Sequence, residues 1–106
     1  VKSGFFSEHW SDAQGRPAGG MTSGRGFTIS WQNGPLGRGL ERRQPNGAFV
    51  EDIIDAVRER IEFYQKSEFA CMDNEMAIRH LEAALAVLDE RTKRREERAV
   101  EGTHVK

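Results

Sequence analysis

Pro45-Asn46-Gly47-Ala48-Phe49-Val50-Glu51-Asp52-Ile53-Ile54-Asp55-Ala56-Val57 is where this chain changes character. Pro-Asn-Gly is a turn cluster. Directly after it, Val50, Ile53, Ile54, Val57, Ile61 and Tyr64 recur at three- and four-residue steps, which places them on one stripe of a helix. Asn46 or Gly47 is positioned to cap that helix, and Glu51 and Asp52 fall in its first turn, where the helix dipole favours anions. The spacing predicts a helix over 49–66. Ser67 to Asp73 then form a connection, Asp73 or Asn74 is the expected cap of a second helix, and Met76, Ala77, Leu81, Ala84, Leu85 and Leu88 carry it to about Arg98. At ~1.5 Å per residue this second helix spans ~37 Å. So short a connection predicts an antiparallel helical hairpin.

Upstream of the turn the pattern is different. Phe27-Thr28-Ile29-Ser30-Trp31 alternates large apolar with small polar residues and predicts a half-buried strand, closed by the turn Asn33-Gly34-Pro35. Leu40 to Arg43 are expected to form a second short strand. Residues 1–26 show neither a period of two nor one of 3.6 and are expected to be a poorly specified arm. Phe5, Phe6 and Trp10 argue that the arm docks on a neighbouring surface, because solvated tails rarely keep large rings. The expected class is α+β: a small N-terminal antiparallel sheet with loops over 27–47, then the hairpin and tail over 48–106, in one domain of 106 residues.

Composition bounds the function. Ten of the eleven glycines and all three prolines precede residue 48. The first 47 residues carry six basic and three acidic side chains, and the remainder ten and fourteen, within a net charge of −1. No global field attracts nucleic acid or an anionic membrane. Apolar residues are 37% of the chain, below the usual ~45–50%, so the core is thin. Helix two nevertheless carries an apolar band over 81–88 wider than one partner helix covers, which predicts an oligomer, at least a dimer. A single cysteine excludes a disulfide framework and a Cys-rich zinc site and fits a reducing compartment. No stretch reaches the ~20 apolar residues of a membrane span, and the N-terminus lacks a signal-peptide core, so the expected location is the cytoplasm. The chain opens on Val1 rather than Met, so a few residues are expected upstream.

Enzyme templates are missing: there is no His-Glu-x-x-His, no Gly-x-Ser-x-Gly, and Gly34-Pro35-Leu36-Gly37-Arg38-Gly39 lacks the Lys-Ser/Thr ending of a phosphate loop. His9, His80 and His104 are far apart and are expected at the surface or at caps, and Cys71, beside Phe69 and Ala70, is expected to be a small buried hydrophobe. No cofactor or metal is expected. Asp89 to Arg98 is the most charged run. Cations there complement the helix C-terminus, and Glu90 and Arg94 are spaced as a favourable pair, so a solvated helix end accounts for much of it. Arg91, Arg95 and Arg98, however, fall four and three apart on one face, a spacing that suits guanidinium contacts to phosphate. Thr103, after Gly102, adds a hydroxyl.

Two long patterns carry a resemblance. Phe69-Ala70-Cys71-x-x-Asn74-x-x-Ala77-Ile78-x-x-Leu81-x-x-Ala84-Leu85 and Arg91-Thr92-x-x-Arg95-x-x-Arg98-x-Val100-Glu101-Gly102-Thr103-His104 resemble the C-terminal hairpin of the phage Thoeris anti-defence sponge proteins, as does Asn46-Gly47-x-x-Val50-Glu51-Asp52-Ile53-Ile54. The resemblance spans about 27–106 and extends in outline to the phage anti-CBASS sponges. It implies a sheet plus hairpin assembled as dimers and sometimes hexamers. It further implies a non-enzymatic protein of the host bacterial cytoplasm that sequesters a glycocyclic ADP-ribose, the hexameric members taking cyclic di- and trinucleotides as well. The family's stacking aromatic lies ten positions before the Asn of Cys-x-x-Asn and falls on Tyr64, a tyrosine where the family usually has phenylalanine. The Asn falls on Asn74, and a binding arginine seventeen positions later falls on Arg91. On the residues alone, Tyr64 reads first as a core position of helix one and Asn74 as a helix cap. The alternative function is an oligomeric helical-hairpin scaffold whose arginine face meets an acidic protein. DNA or RNA binding is disfavoured, because Glu90, Glu96 and Glu97 interrupt the basic run.

Overall fold

The computed structural model describes residues 4–99 and 102–104, and over them the chain is α+β. It divides into two compact units, one holding the residues up to Phe49 together with 102–104, the other Val50–Ala99.

The first unit is a three-stranded antiparallel meander of β1 (Phe5–Ser11), β2 (Pro17–Gly24) and β3 (Phe27–Trp31), with β2 in the centre. The expectation of a poorly specified arm over 1–26 is thus corrected: two strands lie within it. They escape a periodicity reading because the central strand is Pro-Ala-Gly-Gly-Met-Thr-Ser-Gly, in which glycine takes the place of alternating apolar residues. One of those glycines is required by backbone approach. Gly20 sits at φ +145°, and a Cβ there would run into the Glu8 carbonyl oxygen of β1. Opposite, β1 is irregular between His9 and Ser11. Hydroxyls join the three strands. Buried Thr22 on β2 shares a 2.9 Å hydrogen bond with the Ser7 hydroxyl of β1, and its Oγ1 accepts one of 2.9 Å from the Trp31 indole N–H of β3. These bonds satisfy a polar group that burial would otherwise penalise.

Asp12 closes the β1–β2 turn. Its carboxylate accepts the backbone N–H groups of Gln14 and Arg16 at 2.9 and 3.0 Å, and the Arg16 guanidinium at 3.1 Å. The Arg16 backbone bond is the main reason the carboxyl is held below its ordinary value, with the Gln14 N–H and the guanidinium adding to it. A depressed folded-state pKa stabilises the turn above the unfolded value of about 3.9, and that contribution is lost as pH falls through the lower folded value. Acidification should therefore loosen this turn before the strands. Amide NMR of Gln14 and Arg16 is expected to show a titration midpoint below ~3.9, and Asp12→Asn to abolish it.

After β3 the chain makes a long loop whose ends are tied together. Gln32 Oε1 accepts the N–H groups of Asn46 and Gly47 at 2.9 and 3.2 Å, Asn46 Oδ1 accepts the N–H of Asn33 at 2.8 Å, and Asn46 Nδ2 returns a bond to the Asn33 carbonyl. Asn46 is therefore a loop clasp and not the helix cap expected of it, and Ala48 continues as a parallel bridge to Trp31. The strand expected at Leu40–Arg43 is a 3-10 turn over Gly39–Glu41 instead, with Leu40 fully exposed. Positive φ at Gly37 and Gly39 bends the backbone out of any strand path.

The second unit is the hairpin of α1 (Val50–Gln65) and α2 (Met72–Glu97). Ile53, Ile54 and Ile61 of α1 and Leu81, Ala84, Leu85 and Leu88 of α2 are half-buried, and among the described residues Ile78 is the one buried apolar side chain. The core is as thin as composition implies. Val50, Val57, Met72, Met76 and Val87 are exposed. The cap of α2 is Cys71, with no side-chain bond, and not Asp73 or Asn74. Cys71 is also exposed, which corrects its expected burial. The left-handed residue after α2 is Ala99, while Gly102 gives its carbonyl to the Gly37 N–H at 2.7 Å.

Candidate ligand-binding site

The connection between the helices is built by side chains standing in for backbone. Gln65, the last residue of α1, donates from Nε2 to the Cys71 carbonyl at 3.0 Å and accepts the Cys71 N–H at Oε1 at 2.9 Å. The Ser67 hydroxyl donates to the Tyr64 carbonyl at 2.6 Å and accepts the Phe69 N–H at 3.1 Å. These bonds fix the end of α1 against the start of α2. Asn74, half-buried in the first turn of α2, donates from Nδ2 to the Phe69 carbonyl at 3.3 Å. That uses one of its two amide donors and leaves the side-chain carbonyl as an acceptor.

Tyr64 faces outward on the last turn of α1, 38% exposed, so it is not a core position. Arg60, one turn earlier, lies over two rings at once: its guanidinium carbon is 5.1 Å from the Tyr64 ring centre and 4.9 Å from that of Phe63. Its Nε also donates to the Tyr64 hydroxyl at 3.3 Å. The two rings are tilted 58° with centres 6.2 Å apart. Phe63 is 57% exposed and lines, with Arg60 and Lys66, a shallow hollow of about 420 Å³ on the outer side of α1. The connection end of the hairpin thus offers aromatic faces, a held amide and cations.

The structure brings Tyr64 and Asn74 to this same end and leaves Arg91 elsewhere. Seventeen helical residues separate Asn74 from Arg91, or ~25 Å along α2. Arg91 and Arg98 are exposed, but Arg95, expected on the same open face, is buried and already has a partner. Lys93 pairs with Asp89 at 3.3 Å, and that hydrogen-bonded carboxylate holds its ammonium pKa above the usual value. Near this end, Glu51, Asp52, Asp55 and Asp89 line a hollow of about 400 Å³ with Leu85 and Thr92. Thr103 belongs to the sheet unit, is half-buried and has a partner; Val100 and Glu101 of the quoted pattern lie outside the described residues. His9, His80 and His104 are exposed. In the sheet unit, Asn33, Pro35, Leu36, Glu41, Arg43 and His104 line a further open hollow of about 750 Å³. Among the described residues no cluster of His, Cys, Asp and Glu could hold a metal. Sequence reading missed Arg60 and Gln65. The four-residue step from Arg60 to Tyr64 was available as a signal, but the bond from Gln65 to a backbone six residues on was not.

A small antiparallel sheet leading into a two-helix hairpin, with a polar and aromatic connection end, defines a hairpin-domain protein. The chain belongs to the Acb2/Tad1 hairpin domain family, whose model matches residues 24–93, from the end of β2 through most of α2. It is also 44% identical over 84 residues to Thoeris anti-defense 1 of Bacillus phage SBSphiJ7, a match covering 79% of this chain and 56% of that protein. The chain therefore spans little more than half the length of this relative.

Proposed function

We propose that this protein is a phage anti-defence sponge: it binds a cyclic nucleotide immune signal, a glycocyclic ADP-ribose, and holds it without cutting it. The observation that carries this is the joining of an outward aromatic ring, Tyr64, and a side-chain amide, Asn74, at one end of a family hairpin. The relative's name, an anti-defence protein, supports the biological role. A stacked purine needs an aromatic face, an amide can pair with base or ribose, and a pyrophosphate suits a guanidinium. To silence a receptor responding near micromolar signal, a sponge needs nanomolar affinity, about −12 kcal/mol, and hence an enclosed pocket.

No single hairpin encloses one here, since Arg91 is ~25 Å from Asn74. The pocket is proposed to be shared, with Tyr64 and Asn74 from one chain and Arg91, aided by Arg98, from a neighbour. The exposed Val50, Val57, Met76 and Val87 supply apolar surface for that association. Cyclic di- and trinucleotides are further candidate ligands if the dimers assemble into hexamers. Among the described residues no helix is long and apolar enough to cross a membrane, which is compatible with action in the host cytoplasm.

Nucleotides released by heat after exposure to glycocyclic ADP-ribose identify the class by mass spectrometry. Intact ligand is expected; fragments would indicate an enzyme, and no ligand a scaffold. Light scattering at low micromolar concentration should give a mass of at least two chains, and a stable 12.0 kDa monomer would overturn the shared pocket.

A further inference from the structure

Tyr64 carries a hydroxyl that a stacking ring does not need, and the structure shows what meets it. Arg60 Nε donates to that oxygen at 3.3 Å while the guanidinium lies 5.1 Å from the ring centre. The same group lies 4.9 Å from the Phe63 ring. The three side chains fall at i, i+3 and i+4 on α1, the spacing at which helical side chains meet. We propose that Arg60 is a positioning residue of the ligand site, holding the Tyr64 ring in its stacking orientation through the hydroxyl and the ring face together. This rests on the sponge reading of Tyr64 given above.

The physical argument has two parts. A tyrosine at the exposed end of a helix can take more than one χ1 rotamer, and each unproductive one lowers the fraction of protein ready to bind. A hydrogen bond to the hydroxyl acts at the far tip of the side chain, where a small swing in χ1 moves the atom furthest, so it restrains rotation with the most leverage. The guanidinium against the ring adds a cation–π contact of the kind that persists at partly exposed sites. On the other side of Arg60, the residues four and three positions earlier are the uncharged Ala56 and Val57, and on the same helix Asp55 and Glu62 are engaged by Arg58 at 2.8 and 2.9 Å. Phenylalanine in place of Tyr64 would keep the stacking ring and lose the tether, so the tyrosine and the arginine form a matched pair in this chain.

Tyr64 is the one tyrosine in the sequence, so its Raman Fermi doublet, which is sensitive to phenolic hydrogen bonding, reads this contact without ligand. Arg60→Met is expected to shift the doublet intensity ratio away from the acceptor form and to weaken glycocyclic ADP-ribose binding by about threefold, the size of one exposed cation–π contact. Arg60→Lys should keep part of the affinity but not the doublet ratio. In a Tyr64→Phe background, Arg60→Met should cost less than it does beside tyrosine, since the tether is already gone. An unchanged doublet overturns the contact. A changed doublet with unchanged affinity, or equal losses in both backgrounds, overturns the positioning role. If the unsubstituted protein fails to bind the ligand while the doublet responds to Arg60→Met, the sponge reading has failed and the role in binding falls with it, whereas the contact stands.

Discussion

Arg91→Ala is expected to cost about 2–4 kcal/mol of ligand affinity, because it leaves a buried phosphate without its charge-assisted hydrogen bonds. Arg94→Ala, on another face of the same helix, should cost little. The difference tests more than one arginine, since Arg91 is exposed and ~25 Å from Asn74 in its own chain. Its effect on a pocket containing Asn74 therefore has to arrive through a neighbour. Calorimetry on mixed dimers makes this explicit. A dimer of one Asn74→Ala chain and one Arg91→Ala chain should keep one intact pocket and lose the other, because both lesions then fall in the same site. Two equally weakened pockets would refute the shared arrangement.

Gly20→Ala should destabilise the sheet by about 3 kcal/mol or more. Two penalties combine: a backbone conformation at φ +145° that is essentially restricted to glycine, and a Cβ driven against the Glu8 carbonyl and, at 3.1 Å, the His9 Cα. Neither can be relieved by a rotamer change, because the obstructing atoms are backbone of the paired strand. Gly4→Ala is the control. It has no neighbour within 4 Å of the added carbon and should stay within ~0.5 kcal/mol of the parent. Hydrogen exchange of the β1–β3 amides measures both, and wild-type protection in Gly20→Ala would show that the strands do not approach as described.

Strand β3 and both helices were legible because their apolar residues keep a period, two in Phe27–Trp31 and 3.6 after Val50. β2 was not, since a glycine needed for close approach erases the apolar alternation that marks a strand, and β1, Phe-Phe-Ser-Glu-His-Trp-Ser, has no alternation of its own. Asn46 was misread for a different reason: its partners, Gln32 and Asn33, lie thirteen or fourteen residues back. Local capping rules cannot see that. Cys71 looked like a core residue by type, but its backbone is held by the Gln65 amide at the outer end of the hairpin, where nothing covers it among the described residues. The positions of the candidate site residues were partly legible. Hairpin arithmetic alone puts Tyr64 beside the start of α2 and Arg91 at the far end, whereas the burial of Arg95 depends on packing that a four-and-three spacing does not encode.

The clasp of Gln32, Asn33 and Asn46 has a consequence for how this chain can diverge. By joining residues 32–33 to 46–47, it makes the intervening segment a closed ring whose mouth is fixed whatever the ring contains. Loop-closure entropy grows only logarithmically, by ~0.6 kcal/mol for each doubling of length. Insertions or deletions between Gly34 and Pro45 therefore reshape the hollow lined by Leu36, Glu41 and Arg43 while the strand before the ring keeps its pairing in the sheet. The segment is a cassette, able to exchange length and charge without asking the sheet to refold.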